Sequence, residues 1–600
     1  MNLPSSSSSA EANGSNQSHR FSRFRQGIES ADSNRQAGAD ADAGSNPHWV
    51  RFMRRCLLLL LQPVTLLLFL TTLVVSRGMG RGEFFFFTDE MYHAMGGVFF
   101  RDALVDLPLR HPLQYAFEYY AKYPAMAIPH WPPLFHFVEG VAFLVFGLSP
   151  WVSRLTVLGF ALMGTYFWYR IAEAAGPRWR AFCSGLIVVC LPWVLLYERV
   201  TMLEIPALST CLGAIYFWMR FTGSGRGRYL WAMAAFVAVS FLVSQNAVFL
   251  VFFIVAEFVI EPRFVLFKRI HVWLALALSL AAVLPWYIFT QKTEQVLGTV
   301  ATRLAGRHFS HLANLNTYSF YLEPLYKQLG LPMLILACAG VVIAILKPSR
   351  DSRLMLVWVF SGYACFCLVS EKDSRHTIMW IPPLVYLAVK AVETVCRRRA
   401  LAVIACAALS LGYFVSAIRS QRPMVAGAQQ AAEYVLSLPE SDIVYYQGFL
   451  DADFIFFVRK LDPEKSHMVT RDKQFVVSHL GFHPRTLQNS PQDVMNFFKT
   501  WGIRYALVAD KGHFSQLDPV RAAFHSDSFE LIKTFPIETN LTNLQWNQID
   551  QGDLQGHQIE VYRYRGELAR TKEAVTIPME TIRHPLVIYL QRLVGHPWPN

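Results

Sequence analysis

The sequence predicts a polytopic α-helical membrane protein, with about 11–13 transmembrane helices and a C-terminal extracytoplasmic α/β domain. Three observations predict this fold class. Hydrophobic residues make up 53% of the 600 residues and charged residues only 16%, whereas roughly 25% of a soluble protein is charged. Apolar stretches recur as far as residue 418, and the sequence then becomes polar. The 46 Phe, 24 Tyr and 15 Trp could not be carried on a water-soluble surface without aggregation.

These patterns divide the chain into three parts. Residues 1–48 are rich in Ser, Ala, Asn and Gly, so we expect a disordered cytoplasmic tail. Residues 49–419 form the membrane domain, with outer loops at 77–150 and 290–328. Residues 420–600 form the soluble domain.

Eleven apolar stretches have lengths close to what a bilayer crossing requires. They are 56–76, 151–171, 181–197, 203–220, 229–244, 246–260, 271–289, 329–346, 354–370, 377–395 and 400–418. A shorter stretch, 134–148, carries His136 and Glu139, and we interpret it as an interfacial or re-entrant segment.

Basic residues set the orientation. Arg51, Arg54 and Arg55 precede the first stretch, which places the N-terminus in the cytoplasm. Arg77 and Arg81 lie on its other side and oppose this assignment. With eleven spans, the five later basic clusters face the cytoplasm and the C-terminal domain lies outside. The net charge of +12 therefore reflects cytoplasmic loops. The sequence shows no basic groove with stacking aromatics, so we expect no nucleic-acid partner.

The C-terminal region alternates short apolar strands with amphipathic helices, as an α/β domain does. The clearest strands and one helical face are Ile443–Tyr446, Tyr505–Val508, Ile559–Tyr564 and the set Ala428, Ala431, Ala432, Val435 and Leu436. All nine Cys lie in or beside the apolar stretches without metal-type spacing, so we expect them to be packing residues.

Two groups of acids are candidate functional residues. Asp89 and Glu90 follow the Phe84–Phe87 run after the first span; they are either chemical groups at the membrane surface or a helix N-terminus capped by Thr88. Glu204 lies six residues after Glu198 and two before Pro206. The alternative there is an ion pair with Arg199 beside a helix start.

Cations are the second class of candidate. Lys372 and Arg375 are three residues apart and can share one helical face, where they would suit a lipid-linked phosphate; the alternative is pairing with Glu371 and Asp373. Loop 290–328 adds four residues that could cover a phosphate or form the polar face of an amphipathic helix. They are Arg303, Arg307, His308 and His311.

His130 begins the rigid turn His130-Trp131-Pro132-Pro133 before the 134–148 segment. It is a candidate metal ligand or simply a polar turn residue.

The order of these motifs carries more information than each motif alone. An acidic pair after the first span, H-x-P-P, E-R-x-x-x-x-E-x-P and K-x-x-R-H-x-x-x-x-x-P-P follow one another. Together they resemble the large membrane glycosyltransferases that use polyprenyl-phosphate sugars, which include protein O-mannosyltransferases and the lipid A aminoarabinose transferase. The resemblance covers residues 50–420 and, more loosely, the soluble region, and it implies a GT-C-type fold.

The resemblance implies roles for individual residues. Asp89 would be the catalytic base, with Glu90 beside it, and Glu204 would be a second acid that orders the acceptor or a divalent metal ion. Lys372 and Arg375 would bind the donor phosphate. Three positions depart from the usual pattern, which leaves the sugar and the use of metal open: Glu204 for Asp, His376 for Tyr, and Gln245-Asn246 for a frequent Lys.

The function expected on this basis is inverting transfer of a sugar from a polyprenyl-phosphate donor to an acceptor on the periplasmic or lumenal side of the cell (inner) membrane. The acceptor would be a lipid, a glycan or a protein, and membrane lipids would be further partners. A transporter or flippase with an external sensor domain is the alternative, although the sequence shows no internal repeat. A catalytically inactive relative that acts as a binding subunit is the third interpretation.

Overall fold

A computed structural model describes much of the chain between residues 62 and 594. The described ranges are 62–84, 88–126, 130–293, 310–369, 372–396, 398–448, 450–477, 485–486, 490–509, 518–540, 556–578 and 585–594. Residues 1–66 form one unit, of which only 62–66 are described, and residues 67–600 form a second unit that holds the features below. Arg303, Arg307 and the predicted 1–48 tail lie outside the described residues.

The described residues up to Arg419 are mainly helical. In chain order, the helices are α1 (Pro63–Val75), α2 (Thr88–Asp106), α3 (Pro112–Lys122), α4 (Leu134–Phe146), α5 (Pro150–Ala175), α6 (Arg178–Cys190), α7 (Pro192–Glu198), α8 (Glu204–Ser224), α9 (Gly227–Val243), α10 (Phe249–Ile260), α11 (Ile270–Thr293), α12 (Leu331–Leu346), α13 (Arg350–Leu368), α14 (Ile381–Val395) and α15 (Arg399–Arg419). Two short helices, Asn316–Ser319 and Leu325–Leu329, precede α12.

Several of these helices are suited to a bilayer. Within the described part of the chain, α11, α13 and α15 are each long and apolar enough to cross a membrane, and α6 with α7 would make a fourth span. Further apolar helices, among them α1, α4, α9 and α12, are shorter. The prediction of an integral membrane protein is confirmed, while the side of the membrane on which each end lies stays a prediction.

The span predicted at 181–197 is not one straight helix. Helices α6 and α7 meet at a bend of 70° between Cys190 and Pro192. Proline lacks a backbone N–H and pushes the preceding residue out of the helical region, and Leu191 is accordingly extended, with φ −62° and ψ 134°. After the bend, α7 continues directly into the short 199–203 connection, which leads to the start of α8.

The C-terminal region is an α/β domain, as predicted. Its helices and strands are β1 (Val425–Ala426), α16 (Ala428–Leu436), β2 (Ile443–Gln447), α17 (Asp451–Leu461), β3 (Met468–Arg471), β4 (Val476–Val477), β5 (Arg485–Thr486), α18 (Pro491–Trp501), β6 (Tyr505–Ala509), α19 (Asp518–Phe524), β7 (Phe529–Pro536), β8 (Glu538–Thr539), β9 (Gln558–Tyr564), β10 (Ala574–Ile577) and β11 (Leu586–Tyr589). The main sheet has the order β3-β2-β6-β9-β7. Strand β2 is parallel to both β3 and β6, whereas β9 is antiparallel to β6 and β7.

The three predicted strands are central to this sheet. Strands β2, β6 and β9 contain them, and all five residues of β2 are buried, as expected for a strand covered on both faces. Four of the five residues predicted to share one face of α16 are fully buried, namely Ala428, Ala431, Ala432 and Val435, while Leu436 is half-buried. The sequence pattern was sufficient here because burial follows the period of each element.

Helices α2 and α4 pack unusually closely, and two glycines allow it. A Cβ atom at Gly96 would lie 2.7 Å from the ring of His136, and one at Gly97 would lie 2.5 Å from Glu139 Oε2. At such distances a side chain at either position would force His136 or Glu139 to move. The Gly96-Gly97 pair is therefore required by the approach of α4 to the helix that begins with Thr88 and Asp89.

A histidine pair links the same two helices. His93 Nδ1 and His136 Nε2 are 3.0 Å apart, and the ring of His93 packs against Trp131 with centroids 4.4 Å apart. His93 is 2% exposed. Burial lowers the pKa of His93 well below its usual value, and the nearby His136 and Arg375 lower this pKa further. His93 is therefore neutral in the folded protein at neutral pH.

We expect Gly97→Ala to destabilise the protein by about 1–3 kcal/mol, because the added methyl group forces α2 and α4 apart. Gly159→Ala is the matched control, since no atom lies within 4 Å of a Cβ at that helical position. Thermal unfolding of the detergent-solubilised variants measures both effects. Equal melting temperatures for the two variants would contradict the close packing of α2 on α4.

We expect stability to decrease as the pH falls below about 6.5, the value for an unfolded histidine. Below that pH the unfolded chain binds a proton at residue 93 that the folded chain does not bind, so protonation favours unfolding. When melting temperatures are measured at several pH values below about 6.5, the decrease with falling pH should be shallower for His93→Gln than for the wild type. His111→Gln, at an exposed position, is the control and should show the wild-type pH dependence. A wild-type pH dependence in His93→Gln would contradict a neutral His93 in the folded protein.

Candidate functional site

The candidate site centres on Arg375, in the short 3-10 helix Ser374–Met379 between α13 and α14. Asp373 is extended and caps this helix by accepting a hydrogen bond from the backbone N–H of Arg375 at 2.9 Å. The Asp373 carboxylate also accepts from Arg375 Nε at 2.6 Å. Asp373 therefore fixes both the backbone and the side chain of Arg375.

Two further carboxylates approach the same guanidinium. Asp89, in the first turn of α2, accepts from Arg375 Nη1 at 2.9 Å. Glu204, the first residue of α8, has its Oε1 3.5 Å from Arg375 Nε. The structure thus brings together Asp89, Glu204 and Arg375, which are far apart in the sequence, although their chemical roles stay predictions.

The two acids differ in exposure. The side chain of Asp89 is 33% exposed, whereas that of Glu204 is 5% exposed. Glu204 Oε2 is buried and has no hydrogen-bond partner among the described residues. An unpaired buried carboxylate oxygen is unfavourable. Asp89 is the more accessible of the two acids.

The three carboxylates stabilise the charged form of Arg375. Burial would lower the pKa of Arg375, but Glu204, Asp373 and Asp89 outweigh it and hold that pKa well above its usual value. Three carboxylates surround one guanidinium, so these four residues together are negatively charged. A donor phosphate would need further cations here, and the predicted Arg303 and Arg307 lie outside the described residues.

Lys372 does not share a helical face with Arg375, contrary to the prediction. It precedes the 3-10 helix, and its Nζ donates to the carbonyls of Phe366, Cys367 and Val369 at 3.1, 2.6 and 2.5 Å. These carbonyls lie at the C-terminal end of α13, where a cation is favoured. Lys372 caps α13 in this structure, and phosphate binding by Lys372 stays a prediction.

Glu90 faces a different direction from Asp89. It is fully buried, and its Oε1 accepts from the backbone N–H of Thr201 at 2.9 Å. Adjacent residues on a helix point about 100° apart, so the acidic pair divides into one accessible and one structural carboxylate. Glu90 joins the start of α2 to the 199–203 connection that leads to Glu204.

The alternative ion pair of Arg199 with an acid is not what the structure shows. Arg199 donates to Ser420 Oγ at 2.9 Å and to the Val74 carbonyl at 2.8 Å. It therefore joins α1, α7 and α15 through backbone and hydroxyl oxygens.

His376 stands where the glycosyltransferases that the sequence resembles usually have Tyr. Its Nδ1 lies 3.1 Å from Tyr321 Oη.

Metal binding by His130 and Glu204 also stays a prediction. Among the described residues, no group of three or more His, Cys, Asp or Glu side chains is placed to hold an ion. The guanidinium of Arg375 lies among the carboxylates where a metal centre would need open space. The backbone carbonyl of His130 accepts from Gln245 Nε2 at 3.2 Å, so this bond connects the turn before α4 to the segment between α9 and α10.

Two residues near the site carried no strong sequence signal. The sequence offers Asp373 only as an alternative partner of the cations, and no motif in it points to His93. The four-residue spacing from Asp89 to His93 places both on one side of α2, and that spacing is the signal by which His93 could have been found.

Comparisons with known proteins agree with this fold. Residues 130–289 match the family model described as dolichyl-phosphate-mannose-protein mannosyltransferase. No curated protein sequence matches the chain.

Solved structures match over most of the chain. ArnT from Cupriavidus metallidurans bound to undecaprenyl phosphate matches with a TM-score of 0.57 and 13% identity, over 85% of this chain and 99% of that one. Its apo form matches with a TM-score of 0.54 and 14% identity, over 83% and 97%.

The Archaeoglobus fulgidus oligosaccharyltransferase in complex with Zn and sulfate matches with a TM-score of 0.50 and 10% identity, over 75% of this chain and 68% of that one. These likenesses establish the GT-C-type fold. The resemblance of this chain to the polyprenyl-phosphate-sugar-dependent membrane glycosyltransferases is thereby confirmed, in sequence over residues 130–289 and in fold over most of its length.

Proposed function

We propose that the protein is an inverting glycosyltransferase that moves a sugar from a polyprenyl-phosphate donor to an acceptor on the outer face of the membrane. The observation that carries this proposal is the cluster of Asp89, Glu204 and Asp373 around Arg375. It combines an accessible carboxylate with an oriented guanidinium at the ends of apolar helices. The family match and the fold support the same reaction class.

Asp89 is suited to act as the base. Arg375 holds one of its oxygens, Oδ2, and Oδ1 has no hydrogen bond to the described residues. Asp89 would remove the proton from an acceptor hydroxyl as its oxygen attacks the anomeric carbon, and the bond from that carbon to the phosphate oxygen would break. Direct displacement with one base inverts the anomeric centre, and the polyprenyl phosphate leaves with the electron pair.

The leaving phosphate needs cations more than it needs a general acid. Arg375 is the described cation at the site, and Asp373 keeps its guanidinium in place. Because the surrounding acids leave the described cluster negative, we propose that Arg303 and Arg307 of the outer loop complete the phosphate site. Glu204 would orient the acceptor from the buried side of the cluster.

A lipid-linked donor also agrees with an apolar groove on the membrane domain. Side chains of α10 and α13, among them Phe252, Val255 and Phe360, line a groove with a volume of about 630 Å³. Helix α13 leads from this groove to the segment that carries Arg375. The matched ArnT structure contains undecaprenyl phosphate, which supports a polyprenyl phosphate as the lipid here.

We expect Asp89→Asn to lower the transfer rate by at least about 100-fold, because the amide cannot accept the acceptor proton. The melting temperature should change little, since the amide oxygen still accepts from Arg375. Transfer from a polyprenyl-phosphate sugar by the purified protein measures the rate. Glu433→Gln, on an exposed position of α16, is the matched control and should retain wild-type activity.

Full transfer activity in Asp89→Asn would contradict the proposal that Asp89 is the catalytic base. Mass spectrometry of lipids that co-purify with the wild-type protein adds an independent result. A polyprenyl phosphate or its glycosylated form supports the transferase, whereas transport without transfer in reconstituted vesicles would favour a transporter or flippase.

We expect Arg375→Met to weaken binding of polyprenyl phosphate by at least about tenfold, because the carboxylates then repel the phosphate without a compensating cation. Acceptor affinity should change by less than about twofold on the same argument. Equilibrium binding of each substrate measures the two effects. Arg419→Met removes an exposed arginine at the end of α15 and should affect neither, and equal losses for donor and acceptor in Arg375→Met would contradict the phosphate role.

A further inference from the structure

One segment of the α/β domain contacts helix α2 at three levels. We call residues 459–471, which run from the end of α17 to the end of β3, the clamp segment. Its first contact is a two-fold hydrogen-bonded ion pair, in which Arg459 Nε and Nη2 donate to the two oxygens of Asp102 at 2.7 and 2.9 Å. Both side chains are almost fully buried, at 2% and 0% exposure.

The second contact lies one turn further along α2. Lys465 forms an ion pair with Asp106, and both side chains are 8% exposed. Tyr115 of α3 donates to the same Asp106 carboxylate at 2.6 Å. Lys122, at the end of α3, donates to the backbone carbonyl of Lys465, so α2 and α3 are both fastened to the clamp segment.

The third contact is next to the candidate site. Arg471 Nη1 donates to Tyr92 Oη at 2.8 Å and to Asp451 Oδ2 at 2.6 Å. Tyr92 is three residues after Asp89, on the same side of α2. The last residue of β3 is therefore one helical turn from the accessible acid of the site.

These contacts are strong because they are shielded from water. Paired charges at a few per cent exposure are screened little by salt, and loss of one partner leaves the other charge buried without compensation. Tyr119 donates a further hydrogen bond to Asp102 at 2.7 Å. The clamp segment therefore holds α2 in one position along three of its turns.

We infer that the clamp segment is a positioning element for the helix that carries Asp89, which makes the α/β domain part of the transfer machinery. This inference rests on the proposed function. A reacting carboxylate must be held to within about half an ångström of its productive position. Arg459, Lys465 and Arg471 act through α2 and do not themselves touch the reacting atoms.

The test uses the full-length protein in detergent, with two measurements on each variant. Hydrogen exchange of peptides from residues 88–106 reports the rigidity of α2, and steady-state kinetics separate kcat from KM. The variants are Arg459→Met, Arg459→Lys and Tyr92→Phe. Arg565→Met is the matched control, because it removes an arginine that pairs with Glu530 at 3.2 Å on an exposed part of the same domain.

The expected result for Arg459→Met is faster exchange in α2 and a decrease in kcat of between about 10-fold and about 100-fold, with KM for the donor changed by less than about threefold. Arg459→Lys should recover part of kcat because it keeps the charge. Tyr92→Phe, which removes one hydroxyl and preserves folding, should give faster exchange in the first turns of α2 and a smaller decrease in kcat.

Wild-type exchange of α2 in both Arg459→Met and Tyr92→Phe would overturn the inference, as would an equal kcat decrease in Arg565→Met. The exchange measurement also separates this inference from the proposed function. If the wild-type protein transfers no sugar, the proposed function fails, but faster exchange of α2 in the variants would still support positioning by the clamp segment.

Discussion

The contact on which the site depends is the guanidinium of Arg375 placed among three carboxylates. Asp89, Glu204 and Asp373 come from α2, α8 and the segment after α13, and a single side chain joins all three. Carboxylates that converge repel one another, and the cation between them offsets that repulsion. The same pairing orients Asp89, and it prevents Arg375 from pointing elsewhere.

Several other features place these three elements. The bend at Pro192 and the hydrogen bond from the Thr201 N–H to Glu90 bring the start of α8 to α2. The Gly96-Gly97 pair lets α4 approach α2 from another side. Lys372 satisfies the end of α13, which leaves Asp373 free to cap the helix that carries Arg375. Each contact joins only two neighbouring segments of the fold, but together these contacts determine where Asp89 lies.

The C-terminal α/β domain contributes to the position of α2. A C-terminal domain after a membrane domain is readily interpreted as a separate module that recognises the acceptor. Here its β3 and α17 hold α2 through Arg459, Lys465 and Arg471. The domain shares buried polar contacts with α2 and α3. Residues of the α/β domain therefore act on the candidate site through α2.

The sequence by itself determined the membrane class, the α/β character of the C-terminal region, and Asp89, Glu204 and Arg375 as candidate site residues. Hydrophobic content, strand periodicity and motif order are local properties, and a single chain shows them directly. The tertiary structure decided which member of each pair faces the site: Asp89 rather than Glu90, and Arg375 rather than Lys372. It also revealed Asp373, His93 and the clamp segment. Such choices depend on partners that are hundreds of residues away, as Arg375 is from Asp89, and no local pattern in either segment records which side chain the other will meet.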